Sequence, residues 1–458
     1  MIVPKLDPGF VPAVIWNKNF REQVAKDPNA DDIEIALSRP DGVTFRHSTR
    51  ILSHSDKNKA LNFRYLERLI KFLLWAKGGS RIYISGNDAL TQELAETYSD
   101  QGRRKFDNET LGLRVFAEPI SIQAVAKDAL PVEGETASPP GKNLDGCRVG
   151  FDLGGSDRKC AAVIDGEVVF SEEVEWDPYF QSDPDYHYQG IVDSLNKAAS
   201  HLPRVDAIGG SAAGVYIDNQ VRIASLFRGV TDDVVFKNRV APMFTDIIDK
   251  HYPGVPFEIE NDGDVTALAG ALTMNTTGVL GIAMGTAEAV GYVNTRGQVT
   301  PQLNELAFAS VDYREGGPVD EWSGDEGCGV QYFSQQGVAR LAEMAGFGFG
   351  DMPYPEQLIE VQNAMKNDDP RAAEIYDSLG VCFGYSIAHY AEFYDINTLI
   401  IMGRVTSGVG GDLLMDRARE VLKQEFPELH EKINLTAPSE KMKRHGQAIA
   451  AASLPAIQ

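Results

Sequence analysis

Residues 149–160 read Val-Gly-Phe-Asp-Leu-Gly-Gly-Ser-Asp-Arg-Lys-Cys, an apolar strand running into an Asp-x-Gly-Gly-Ser turn and out into Ala-Ala-Val-Ile. Gly154 and Gly155 carry no Cβ, so the chain can turn sharply there and present bare backbone N–H groups to anionic oxygens. Asp152 stands where a hydrated cation would be held. Taken alone, Gly-Gly between two strands reads as an ordinary hairpin turn. Three later segments of the chain give it more weight.

Residues 256–259 read as a short strand ending at Glu260-Asn261-Asp262, ahead of an Ala-rich helix near 265–274. Residues 279–284 form a second apolar run that stops at Gly285-Thr286, and 398–402 a third that stops at Gly403. Glycine turns after apolar strands are what several strand ends need if they converge on one nucleotide. The first two would cradle phosphates, and the third would let backbone pass close to the base and ribose. A carboxylate at Asp262 can accept the proton of a hydroxyl attacking a γ-phosphate, the remaining catalysis being positioning and charge neutralisation by Mg²⁺. Helix capping is the alternative reading of the same residue.

A chain of 458 residues is too long for one core and implies two or three domains. Residues 130–146 are rich in Pro, Gly and small polar side chains and read as a linker. Before them lies an α/β segment, 1–129, with a strand near 33–37, an Asp41-Gly42 turn, a second strand, an apolar helix near 61–77, a strand at 81–85 and a helix near 89–98. After them a hairpin, a helix near 188–199 and a strand near 205–209 follow in similar order, which is common enough to be coincidence. Strands alternating with helices throughout predict α/β architecture.

Charge is unevenly placed. Residues 1–145 carry 20 basic and 20 acidic side chains and the rest carry 23 and 46, so the net charge of −23 belongs wholly to the second part. Such a surface repels phosphate backbones, and nucleic acid is not an expected partner. No run of apolar residues is long enough to span a membrane, and Met-Ile-Val-Pro-Lys-Leu-Asp-Pro lacks the layout of a secretory leader, so no membrane partner and a cytoplasmic location are expected. The four cysteines have no Cys-x-x-Cys spacing and read as reduced core residues.

The ordered set Asp-Leu-Gly-Gly-Ser, Glu-Asn-Asp, Gly-Thr and Met-Gly-Arg resembles the actin, Hsp70 and sugar-kinase superfamily, and within it the ROK sugar kinases and sugar-responsive repressors, over roughly residues 147–455. The resemblance implies a two-lobed actin-like ATPase fold of ribonuclease H-like lobes (147–275 and 276–458), preceded here by a small additional α/β domain. It implies Asp262 as catalytic base and Asn261, Glu305 and Gly214 on the substrate side. Asp152, Gly154, Gly155, Ser156, Lys159, Gly285, Thr286 and Gly403 would face ATP, with Asp152 also near magnesium through water.

Two departures stand out. Where the family carries a Gly-Glu-x-Gly-His motif whose His binds sugar and a structural zinc, this chain reads Asn304-Glu305-Leu306-Ala307-Phe308. The cysteine-rich zinc loop aligns with residues 321–328, and three of its four ligands have become Phe308, Glu321 and Ser323, leaving Cys328. A lone thiolate cannot hold a zinc that needs about four ligands. No zinc is therefore expected, and Trp322, Phe308 and packing are expected to hold the loop. Arg228, Asp312 and Arg314 read as surface charges, with the substrate pocket as the alternative, and His187, His251 and His445 as surface or interface residues. Arg404, after Gly403, is expected to turn to solvent.

The leading expectation is an ATP-dependent, glucokinase-like carbohydrate kinase phosphorylating a hexose-type hydroxyl, with ATP and Mg²⁺ as cofactors. The alternatives are a non-catalytic ROK-like sensor of a sugar or metabolite, and an ATPase of the same fold acting on a non-sugar substrate. The sugar would be the small-molecule partner, and homodimerisation is left open.

Overall fold

The computed structural model describes residues 1–134, 141–438 and 446–457, so part of the expected linker and His445 lie outside the described residues. Two sheets carry the same wiring. In the first lobe, β5 (Cys147–Leu153) pairs antiparallel with β6 (Asp157–Ile164) on one side and parallel with β8 (Ala207–Ala212) on the other. The edges are β7 (Glu167–Glu175) and β11 (Phe257–Asn261), giving the order β11-β8-β5-β6-β7. In the second lobe β12 (Val279–Met284) pairs antiparallel with β13 (Glu288–Val293) and parallel with β14 (Thr398–Met402), which pairs parallel with β15 (Asn434–Thr436). One antiparallel hairpin with parallel strands added beside its first strand thus recurs, the two-lobed α/β arrangement expected from the sequence.

The N-terminal sheet is wired otherwise. Strands β1 (Asp31–Ser38) and β2 (Thr44–Ile51) form a hairpin, and β3 (Arg81–Ser85) runs antiparallel to β1 with β4 (Ser121–Ala124) parallel beyond it. The strand after the helix is therefore antiparallel here and parallel in the first lobe. The shared element order does not extend to shared topology.

Helix α1 (Ala13–Ala25) precedes this sheet, and α2 (Asp56–Lys77) links β2 to β3. Every residue of α2 from Tyr65 to Lys77 is buried, charged ones included. A helix hidden all round needs neighbours on every side. One apolar core supplies them, running without a break from Ile33, Ile35 and Leu69 of the N-terminal segment to Phe333, Phe383 and Tyr385 of the second lobe. The first lobe keeps a separate core around Phe151, Leu195 and Phe244.

The chain crosses between lobes at helix α3 (Asp262–Met274), whose first turn lies flat on β13. A Cβ on Gly291 would fall 2.1 Å from the Gly263 backbone, so only glycine allows this approach. The final described helix, α4 (Gln447–Ala452), returns to pack on β5 and β8. All four cysteines are free and buried. Among the described residues no helix is long and apolar enough to cross a membrane.

Candidate active site

Strands β5, β8 and β11 run parallel and end together, which gathers their C-terminal residues at one crevice. Asp152 lies opposite Ser211 in register, and the Ser211 hydroxyl donates to its Oδ1 at 2.6 Å. Burial raises the Asp152 carboxyl, while Ser211 and the Lys159 ammonium pull it back. Lys159 itself pairs with Asp157 at 3.1 Å.

Asp262 opens α3 at the end of β11. Its apolar surroundings and the nearby charge of Asp152 push its carboxyl up to about 6, against the pull of the helix's first amides. These two carboxylates therefore sense each other across the crevice. Glu305 joins them: burial and the charge of Asp262 raise it to about 7. Deeper still, burial raises Glu288 to about 8 and leaves its Oε2 without a partner, with Tyr390 donating to Oε1 at 3.3 Å.

Asn261 is fully engaged. Its Oδ1 accepts from the Gly263 amide and its Nδ2 donates to the Gly214 carbonyl, each at 2.7 Å. It caps α3 and fixes the turn at Gly214, and both residues line a cavity of about 470 Å³ beside the crevice. That cavity is also lined by Arg39, Asp41 and Phe116 of the N-terminal segment. Arg39 bonds the Pro301 carbonyl and pairs with Asp41 at 2.8 Å.

At the glycine turn, the Gly154 amide is taken by the Asp157 carbonyl at 2.9 Å, and the Gly154 carbonyl accepts from the Trp176 indole at 2.8 Å. The Tyr179 hydroxyl lies where a Cβ on Gly155 would be. Ser156 sits at the exposed tip, its hydroxyl on Asp157 at 3.0 Å. In the second lobe Gly285 and the exposed Thr286 form the β12–β13 turn. Gly403 has φ +102° and packs so closely on the Met284 carbonyl that a Cβ would lie 2.3 Å from it.

Sequence reasoning missed several residues here. Asp264 accepts from the Tyr292 amide (2.9 Å) and the Asn304 side chain (2.8 Å), and Tyr394 donates to Asn304 at 3.0 Å. The amides of Asn304 and Glu305 donate to the carbonyls of Ala76 and Trp75 at the end of α2, each at 3.0 Å. Backbone pairing of this kind leaves no residue-type signal.

Several expectations need correcting. His187 is fully buried, its Nε2 between the Pro178 and Leu226 carbonyls at 3.1 and 2.9 Å. Asp312 and Arg314 belong to neither open surface nor pocket. Asp312 is buried against Tyr332, and Arg314 binds Asp7, which Arg340 also holds at 2.7 Å. Arg228 is exposed, as expected, and lies over the rings of Tyr179 and Phe180 at 4.0 and 4.9 Å. Arg404 is exposed, as expected.

The loop 305–328 is where zinc would be sought, and its residues do not fit that metal. Burial and the charge of Asp325 push the Cys328 thiol up to about 12, so it stays protonated. Glu321 is exposed and accepts from Tyr354, and Ser323 donates to Asp320. No group of metal-holding side chains occurs among the described residues. Packing alone does not hold the loop either. Phe308 does lie tilted against Trp75 (4.4 Å) and edge-on to Trp322 (5.2 Å), but Asp325 gathers three cations: Arg104 at 2.5 Å, Arg68 at 3.2 Å and Lys71 at 3.5 Å.

No family model and no curated protein matches this sequence. Among solved structures, a ROK hexokinase from Thermus thermophilus superposes with a TM-score of 0.53 at 20% identity, over 67% of this chain and 96% of that one. A ROK family transcriptional regulator, a homologue of the E. coli MLC protein, gives 0.50 at 17% identity, over 68% and 79%. The fold is the ROK fold. A ROK family protein from Streptococcus pneumoniae, solved with sucrose, gives 0.50 at 10% identity over 66% and 96%. Roughly a third of this chain lies outside each match.

Proposed function

We propose that the chain is an ATP-dependent kinase that phosphorylates a sugar hydroxyl, with Asp262 as the base. The observation that carries this reading is the carboxyl of Asp262 at the joint end of three parallel strands, raised to about 6 by burial and the charge of Asp152, with its own charge raising Glu305 in turn. A base with that affinity is ionised at neutral pH yet takes a proton readily. In this reading Asp262 accepts the proton of the attacking hydroxyl, and Glu305 accepts a hydrogen bond from a neighbouring hydroxyl and so orients the ring. Asn261 holds the Gly214 turn as the substrate wall.

On the nucleotide side, Gly154, Gly155, Ser156 and Lys159 approach the phosphates, Gly285 and Thr286 approach from the second lobe, and Gly403 lets the adenosine pass. Asp152 has Asp262 across the crevice but belongs to no group of metal-holding side chains among the described residues, and so suits a hydrated Mg²⁺ held mainly by phosphate oxygens. Bound there, the ion would neutralise charge developing on the transferred phosphoryl group.

A coupled assay of ADP release against a panel of hexoses and N-acetylhexosamines tests the reading. ADP release that depends on one of these sugars is expected. No turnover on any sugar, with ATP shown to bind, overturns it.

One observation favours a second reading, sensing without transfer. The Tyr179 hydroxyl crowds Gly155 at the turn where phosphate would approach. Sugar binding by calorimetry with no ATP binding would favour that reading.

A further inference from the structure

Six buried ionised side chains lie under the loop that carries Glu305: Glu67, Arg68, Lys71, Arg104, Asp107 and Asp325. Five of them come from the N-terminal segment. Lys71 binds Asp107 at 2.7 Å, the Trp75 indole donates to the same oxygen at 2.8 Å, and Arg104 bonds Glu67. Burial would raise the Glu67 and Asp325 carboxyls, but the surrounding cations outweigh it and hold both below the usual range. The set is charge-balanced, three against three. Buried ions are costly to keep, and a set like this is weak evidence for stability in itself.

It is strong evidence about geometry, because the same loop is tied to the N-terminal segment twice more. Val11 donates to the Asp312 carboxylate at 3.0 Å and Ala13 to the Val311 carbonyl at 3.0 Å, while Tyr313 donates back to the Val11 carbonyl at 2.8 Å. The amides of Asn304 and Glu305 hang from the last turn of α2. The loop 304–328 is thus pinned at its start, middle and end by residues that precede position 129.

We propose that the N-terminal segment is an in-chain brace for the acceptor carboxylate: Arg68, Lys71 and Arg104 on Asp325, with the Trp75 and Ala76 carbonyls, hold Glu305 where a bound metal would otherwise order its loop. Arg104 and Lys71 are positioning residues. They act on substrate through Glu305, and to that extent the inference rests on the kinase reading. The holding of the loop itself does not.

The test uses the full chain with Asp325→Asn, and Arg104→Lys as the variant that keeps the charge. In Asp325→Asn, exchange of the Asn304 and Glu305 amides should quicken about tenfold while exchange within β12 stays unchanged. The KM for the sugar should rise about tenfold with the KM for ATP within about twofold, a split that general destabilisation does not produce. Arg104→Lys should quicken exchange at 304 and 305 and raise the KM for the sugar by about two- to threefold, and unchanged exchange in it overturns the brace. The purified wild type should contain no stoichiometric zinc, and chelation should leave the exchange of the 304 and 305 amides unchanged. Unchanged exchange at 304 and 305 in folded Asp325→Asn, or zinc whose removal loosens the loop, overturns the brace. If Asp325→Asn does not fold, Arg104→Lys decides by the same exchange readout. If the wild type phosphorylates no sugar, the kinase reading falls and the exchange and metal readouts still decide the brace.

Discussion

The first lobe keeps its apolar core to itself, whereas the second shares one with the whole N-terminal segment. The two sides of the crevice differ in the same way. Asp152, Gly154 and Gly155 are set by one hairpin, a contact within a few residues, with Ser211 on the neighbouring strand. Glu305 is set by a helix that ends at Lys77, by Asp325 and by cations at 68, 71 and 104. In the proposed kinase reading, a nucleotide presents the same phosphates everywhere and a local loop suffices for it, whereas the proposed acceptor side draws on distant parts of the chain.

Removing residues 1–129 breaks the comparison most severely. The second lobe would lose Phe72 from against His389 and Phe393, together with the rest of the shared core, and should not fold, leaving insoluble protein or one without a cooperative thermal transition. A truncated chain that melts as sharply as the whole would show that the core is not shared. Next comes Asp262→Asn, which should lower kcat by about 10²–10⁴-fold with little change in thermal stability. In the wild type kcat should fall as pH drops through about 6, where Asp262 takes up its proton. An Asp262→Asn variant that stays active and keeps the acid limb would assign the base elsewhere.

Glu288→Gln sharpens the comparison with the smallest effect. The folded state holds the Glu288 proton to about pH 8, against an ordinary glutamate near 4.5, so the folded protein binds more protons than the unfolded one between those values. Stability therefore falls as pH rises through that window, and the cost is complete above it. Gln carries no such cost. The variant should gain over wild type at pH 9 relative to pH 5, by a few kcal/mol at most, since each unit of displacement is worth about 1.4 kcal/mol. Equal gains at both pH values, by calorimetry, would show that Glu288 does not titrate there.

The strand ends at Asp152, Asp262 and Gly403 were legible because each rests on a short strand-then-turn pattern contiguous in the sequence. Boundaries slipped where a stop signal was misleading: the strand expected at 205–209 runs over Ala207–Ala212, since Gly209 and Gly210 lie inside a buried parallel strand. The acceptor side was legible only at Glu305. Lys71, Arg104 and Asp325 have the composition of a solvated surface, and nothing in a linear sequence marks charges that cancel one another in a dry interior. Asp312 and Arg314 were misread for the same reason, because the Val11 amide that bonds Asp312 and the Asp7 carboxylate that binds Arg314 both stand far away near the start of the chain. The hold of Trp75 on Glu305 passes through main-chain atoms that every residue possesses.

The fully enclosed stretch of α2 also sets a problem of timing. During synthesis, Phe72 emerges long before Phe393, the ring it will lie against at 4.2 Å. For most of translation the face of this stretch that meets the second lobe has no cover, which leaves apolar surface open to misassociation until the ribosome has delivered the helices that enclose it.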